Sequence, residues 1–283
     1  METVAIVGVG LIGGSFGLAL KAHGFRGEII GVSSAPTINA AIATGAIDRG
    51  APLAEAVKHA DLVYLAQPVG RILSVLREID PLVRPSALVT DAGSTKHRIV
   101  EAAQKHLHRC PFLGGHPLAG KESRGVANAD AALFRNAPYC LTPSEPADLE
   151  TDNAREFRAW LNRFGAREVV IGAEEHDRLV ALSSHLPQLA STALASLLAD
   201  DELLAGPGLI GATRLAMSPY EVWRDILMTN SGAISEALTA YIQKLEYLRE
   251  NLRSRAMEEE FQRASETARS LRLEKSPAAE PDR

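Results

Sequence analysis

Gly8-Val9-Gly10-Leu11-Ile12-Gly13 follows an apolar run at residues 4–9 and leads into helical periodicity from about residue 13 to 23. That setting gives G-x-G-x-x-G its physical sense. The first glycine permits a tight turn, the second lets the backbone approach a pyrophosphate, and the third lets a helix pack closely on a strand. The phosphates of a dinucleotide then lie at a helix N-terminus, where free amides and the helix dipole favour negative charge. Gly8, Gly10, Leu11, Ile12 and Gly13 are therefore expected to bind a dinucleotide. Ser33 and Ser34 should join them, because they follow the second strand where an NAD enzyme usually carries an acid. Serine neither repels a 2′-phosphate nor grips it strongly, and no arginine lies between 33 and 47. NAD and NADP are both expected to fit, with a slight lean to NADP.

A bound nicotinamide accepts hydride, so a base must take the proton that the oxidised hydroxyl loses, and histidine suits that task near neutral pH. Of the eight histidines, His23, His59, His97, His106 and His108 lie in polar helical contexts and read as surface. His176 starts a helix and reads as structural. His116, in GGHPLAG, falls at the carboxyl end of a strand, where ligands bind in open α/β sheets. His185, in SSHLPQ, lies in a helix that Pro187 must interrupt, freeing the carbonyl of Ser183. A broken, polar stretch on an otherwise apolar helix suggests a cavity wall. Ser94, in DAGSTK, follows another strand on the same sheet edge. It is either a helix cap or the group that orients the His116 imidazole.

The elements that must position these residues alternate in the first half. Strands are expected at 4–9, 28–32, 61–66 and 87–90, with helices around 53–59 and 71–79, and runs at 112–115, 139–142 and 168–171 extend the sheet. This is an α/β pattern with a parallel sheet covered by helices. From 174 onward the pattern is helical, over 174–199 with a break at Pro187, over 220–230, and in one long helix within 232–268. Leu238, Ile242, Leu245, Leu248 and Leu252 give that last helix an apolar stripe, suited to a core or a subunit interface. The expected fold is a Rossmann-like dinucleotide-binding domain over 1–172, then an all-helical domain over 173–270. Residues 271–283, polar and proline-containing, are expected to be a disordered tail.

Composition narrows the partners. A 283-residue chain that is 46% hydrophobic can build a core in each of two domains. The net charge of −5 offers no basic field for nucleic acid. Two cysteines, Cys110 and Cys140, make neither a disulfide framework nor a zinc cluster, and no metal site is expected. Residues 3–20 are uncharged, but their five glycines argue against a membrane span and for a buried strand and turn. No membrane contact is expected, and the cytoplasm is the expected compartment.

GVGLIGGSFGLALK, DAGSTK, GGHPLAGKES, SSHLPQ and VWRDI, in this order, resemble the prephenate/arogenate dehydrogenases of tyrosine biosynthesis. The resemblance runs from the first strand to about Asn230. It implies oxidative decarboxylation, in which hydride goes to the nicotinamide, carbon dioxide leaves and the ring aromatises. By resemblance, His116 is the base at the ring hydroxyl and Ser94 hydrogen-bonds it. Arg224 binds a substrate carboxylate, as a guanidinium fork can, or else pairs with Asp225 or Glu221. His185 is a second polar group at the substrate, and Glu122 helps to control access. Lys121 and Gln188 depart from the commoner threonine and histidine. The resemblance also implies a homodimer built through the helical domains, with neither a fused chorismate mutase nor an ACT domain. Prephenate is preferred over arogenate as substrate, because residues 124–128 hold no acid for arogenate's ammonium. Two rivals remain. A β-hydroxyacid-type dehydrogenase needs a lysine on the first helix of the second domain, and residues 173–201 hold none. A non-catalytic, dinucleotide-binding redox sensor would not need His116, Ser94 and Arg224 to converge.

Overall fold

The computed structural model describes residues 1–121, 123–198 and 205–273. Its first part runs β1 (Thr3–Val7), α1 (Leu11–Ala22), β2 (Glu28–Val32), α2 (Ala35–Ala43), β3 (Arg49–Gly50), α3 (Leu53–Lys58), β4 (Leu62–Leu65), α4 (Val69–Leu76), β5 (Leu88–Asp91), α5 (His97–His106), β6 (Phe112–Pro117), β7 (Pro138–Thr142), α6 (Asp152–Arg163) and β8 (Arg167–Val170). These strands form one sheet in the order β3-β2-β1-β4-β5-β6-β7-β8. Every pairing is parallel except β6 with β7. That exception departs from the expected all-parallel run. Among the described residues no α-helix lies between β6 and β7, and the chain returns antiparallel rather than crossing over.

Alternation along β1 explains its continuous apolar sequence. Val4 and Ile6 join one core with Phe16, Tyr64, Phe134, Phe157 and Phe164, while Ala5 and Val7 join another with Val63, Leu65 and Ile72. Side chains of a strand point alternately to its two faces, so a strand covered on both faces must be apolar throughout. The first core is aromatic: the Phe16 and Tyr64 rings stack at 4.0 Å, and the Tyr64 and Tyr139 hydroxyls pair at 3.1 Å.

After β8 the chain is helical: α7 (Ala173–Val180), α8 (Leu186–Leu197), α9 (Pro207–Thr213), α10 (Tyr220–Thr229), α11 (Ser231–Glu250) and α12 (Ala256–Leu273). The expected break near Pro187 takes a particular form. Residues Ala181–His185 make a π-helical turn between α7 and α8, and Pro187 sits in the first turn of α8. A π turn shifts the hydrogen-bond register by one residue, which suits a proline that has no N–H to offer. The single long helix expected within 232–268 is instead two, with residues 251–255 between them. Helix α12 takes in residues 271–273 of the expected tail, and 274–283 lie outside the described residues.

The chain divides into two compact units, Met1–Ile234 and Ser235–Arg283. The first unit continues past residue 172 because α7 and α10 dock on the sheet's helices through side chains that cap them. Both Asp177 carboxylate oxygens accept N–H groups at the start of α5, and Asp225 accepts the Gly70 N–H at the start of α4. In the second unit, Lys244 of α11 pairs with Glu260 of α12 at 2.7 Å. Ile242, Leu245 and Leu252 of the expected stripe are exposed in the single chain. Among the described residues no helix is long and apolar enough to cross a membrane.

Candidate active site

The glycine loop joins β1 to α1. Gly8 has φ +97°, a conformation that favours glycine, and a Cβ there would lie 2.7 Å from the Ala66 carbonyl oxygen. A Cβ on Gly13 would lie 2.1 Å from the Gly8 carbonyl oxygen, so only glycine lets the helix start against its own turn. Gly10, by contrast, faces open space, with nothing within 4 Å of its Cβ position. No acidic residue occupies the first turn of α1 and no side chain caps it, so its first N–H groups are free for an anion.

Gly8, Gly10, Ser33, Thr37 and Gln67 line a cavity of about 540 Å³ beside this turn. Ser34 is turned aside, its hydroxyl 2.9 Å from that of Thr37, and Leu11 and Ile12 open α1. The Gln67 Oε1 is buried without a partner, a polar atom left for something that donates to it. An open glycine cradle, free amides and an orphaned acceptor together fit a dinucleotide. Residues 125–127, part of the acid-free stretch 124–128, line the same cavity beside the glycine loop.

The second cluster forms where β5 and β6 end. Lys96 and Asp91 are fully buried and paired, and Lys96 Nζ also donates to the Gly115 carbonyl at 2.7 Å. Asp91 accepts the N–H of Gly93 at 2.8 Å and that of Gly115 at 3.1 Å. The DAGSTK motif thus pins the backbone immediately before His116. Burial lowers the Lys96 ammonium's pKa, and Asp91 opposes that shift.

The half-buried imidazole of His116 has its Nδ1 2.9 Å from Nε2 of His176, and His176 Nδ1 is 2.8 Å from an oxygen of Asp177. His176, expected to be merely structural, is 1% exposed and lies edge-on to His116. The same Asp177 carboxylate takes the backbone N–H groups of Lys96 at 2.7 Å and His97 at 3.0 Å. A carboxylate accepts, so His176 Nδ1 carries the proton and its Nε2 is bare. His116 must then donate from Nδ1, which leaves its own Nε2 bare and basic. Burial first, then His176, Lys96 and His185, hold the His116 pKa well below the usual histidine value. The ring is therefore neutral and able to accept a proton.

Ser94 does not have the expected contact. It is half-buried in the turn after β5, and among the described residues it makes no hydrogen bond; the Nδ1 of His116 is taken by His176 instead. His185 closes the π turn, 1% exposed, with the Trp223 ring edge-on at 5.9 Å. Burial pushes its pKa down to about 4. Arg224 is exposed and pairs through Nε with Asp225 at 3.1 Å, one of the two alternatives its neighbours suggested. Asp225 and Thr229 dock α10: Asp225 on Gly70, and Thr229 on the Thr95 hydroxyl at 2.8 Å. Lys121 pairs with Asp130, and the Gln188 amide is bonded to the Leu215 carbonyl. Glu122 lies outside the described residues.

Sequence reasoning missed His176, Asp177, Lys96 and Asn230. DAGSTK itself signalled Lys96, since a lysine five residues after an acid that ends an apolar strand has that acid within reach. Nothing local marks the others, whose partners are distant in the chain.

Comparison with known proteins identifies relatives of the whole chain. Residues 16–170 match the nucleotide-binding domain of prephenate dehydrogenase, and residues 172–266 match its dimerization domain. The prephenate dehydrogenase of Bacillus subtilis is 35% identical over 259 residues, spanning 88% of this chain and 69% of that protein. The crystal structure of A. aeolicus prephenate dehydrogenase with hydroxyphenyl propionate and NAD+ superposes with a TM-score of 0.86 at 30% identity, covering 98% of this chain and 99% of that one. Synechocystis arogenate dehydrogenase gives 0.80 at 30% identity, covering 97% and 100%. The chain belongs to the prephenate dehydrogenase family.

Proposed function

We propose that this protein catalyses the NAD(P)-dependent oxidative decarboxylation of prephenate to 4-hydroxyphenylpyruvate. The observation that carries this is the bare Nε2 of His116, set by the chain from Asp177 through His176. That nitrogen takes the proton of the ring hydroxyl as the carbon bearing it loses hydride. The ring carboxylate departs as carbon dioxide, its bonding electrons completing the aromatic ring, and the proton held on His116 returns to the ring oxygen to give the phenol. The positive charge that forms on His116 is shared toward Asp177 through His176. When bound, the dinucleotide supplies the hydride acceptor, and Gly8, Gly10, Ser33 and Gln67 hold it. Residues 1–172 serve as the dinucleotide module and 173–270 as the helical one.

The guanidinium of Arg224 keeps its two terminal nitrogens free of the Asp225 contact, which suits a substrate carboxylate. Arg224→Ala should raise KM, by about 2–5 kcal/mol of lost binding if the pair is desolvated. An unchanged KM would remove Arg224 from the site.

Dinucleotide choice is permissive. The first turn of α2 holds no acid and Ser33 faces the cavity, so NADP is used at least as well as NAD. The exposed apolar residues of α11 are the surface through which two copies pair into a homodimer, and the enzyme works in the cytoplasm. A second substrate, arogenate, stays open because a relative of equal identity is an arogenate dehydrogenase. The deciding assay follows reduced-nicotinamide absorbance with prephenate or arogenate, each with NAD and NADP. No turnover with any pair would refute the assignment. Higher kcat/KM with arogenate would replace the substrate, and a 100-fold preference for NAD, about 2.7 kcal/mol, would end the NADP lean.

A further inference from the structure

Asn230, at the carboxyl end of α10, is 6% exposed and held by its backbone on both sides: its N–H donates to Ile226 and its carbonyl accepts from Ile234. Its side-chain nitrogen lies 2.8 Å from the backbone carbonyl oxygen of Asp177 and 3.3 Å from Nδ1 of His185. A backbone carbonyl can only accept, so the amide must turn its NH₂ group to Asp177. The other hydrogen of that group then points at His185. Nδ1 of His185 is thereby the acceptor, and a neutral ring must carry its proton on Nε2. Among the described residues that Nε2 makes no hydrogen bond, although the side chain is almost fully buried. That nitrogen is not among the fully buried unpartnered atoms, so its N–H is left for an acceptor from outside the protein.

We propose that Asn230 is a positioning residue that fixes His185 as a neutral Nε2–H donor. The site then offers two histidines of opposite polarity: His116 with a bare Nε2 and His185 with an N–H. Asp177 sets both, the first through its carboxylate and His176, the second through its backbone carbonyl and Asn230. The titratable groups facing His185 are Asp177 and His176 of α7 and His116 of β6. Burial outweighs Asp177 and keeps the ring uncharged near neutral pH. The donor's target is an oxygen acceptor on the substrate, a carboxylate or a carbonyl. That last point rests on the reading of His185 as a substrate-binding residue.

The test is nitrogen-15 NMR of histidine rings in the unliganded, full-length protein, with His185 identified by its loss in His185→Gln. In the wild type, Nδ1 should resonate as a bare nitrogen and Nε2 as an N–H, unchanged as pH falls from about 8 to 6. A proton on Nδ1, or a doubly protonated ring at neutral pH, overturns the proposal. Asn230→Asp, which can only accept, should move the proton to Nδ1 and raise substrate KM about 10- to 100-fold, with kcat changed less. Asn230→Ala, which states no preference, should give a tautomer mixture and a smaller rise in KM. If both variants keep the wild-type tautomer, Asn230 is only structural and the proposal fails. If the tautomers behave as expected but His185→Gln leaves KM unchanged, the role of Asn230 stands and the reading of His185 as a substrate contact falls.

Discussion

The glycine loop after β1 and the histidine cluster at the end of β6 both lie at carboxyl ends of strands in one sheet. The loop presents backbone amides around open space, and Gly10 has no neighbour within 4 Å of its Cβ position. The cluster is made of side chains packed against one another, with Lys96 and Asp91 fully buried beneath it. Backbone sites depend on which side chains are absent, so they are sensitive to a few positions and indifferent to the rest. Side-chain relays depend on every member, because each group's proton position is set by the next.

His116→Asn should separate the two regions most sharply. Turnover is expected to fall by roughly 10²- to 10⁴-fold, while dinucleotide affinity stays at the wild-type level by fluorescence titration. Near-normal turnover would mean that another group is the base.

Stability makes the next contrast. Lys96→Met leaves the buried Asp91 charge uncompensated and should cost about 3–5 kcal/mol in urea unfolding. Gly10→Ala adds a methyl to open space at an ordinary φ, so its stability should stay within about 0.5 kcal/mol of wild type. Its dinucleotide affinity should nonetheless drop. Equal stability losses in the two variants would erase the distinction drawn here.

The smallest effect expected is on pH dependence. The pKa values of His116 and His185 are lowered in the fold, so unfolded chains take up protons at pH values where the folded chain does not. Stability contributed by these neutral rings is full above the ordinary histidine value of about 6.5. It declines as pH falls below that value, toward about 4 for His185. The acid limb of kcat/KM should likewise lie below about 6.5, because His116 stays deprotonated there. Dinucleotide affinity should stay flat, since no titratable side chain lines that cavity among the described residues. A limb at or above the ordinary histidine value would show that the fold does not lower the His116 pKa.

Much of this was legible before the fold was known. The glycine loop announces itself because its function is written in consecutive backbone positions between a strand and a helix. His116 and His185 were singled out by local context, a strand end and a proline-broken helix. Their orientation was not legible. Ser94 is the nearer candidate in sequence, yet the nitrogen of His116 meets His176, 60 residues away. Asn230 lies 45 residues from His185 and 53 from Asp177, and no periodicity links them. The antiparallel turn of β7 and the split of the last long helix were missed for a related reason. Each is decided by how segments meet in space rather than by the pattern within them.

Asp177 bears on the order in which the molecule can be assembled. Its two oxygens reach the start of α5 across 81 and 80 residues of chain while also holding His176. Contacts of such separation form late, after loop closure has been met by other gains. A nascent chain that has emerged only as far as Gly172 contains His116 and the whole sheet, yet nothing to fix the proton on its imidazole. Competence therefore arrives with the docking of α7, and Asn230 must follow before His185 is set. On the role proposed for His116, a growing chain would lack its proton relay until the helical half is in place.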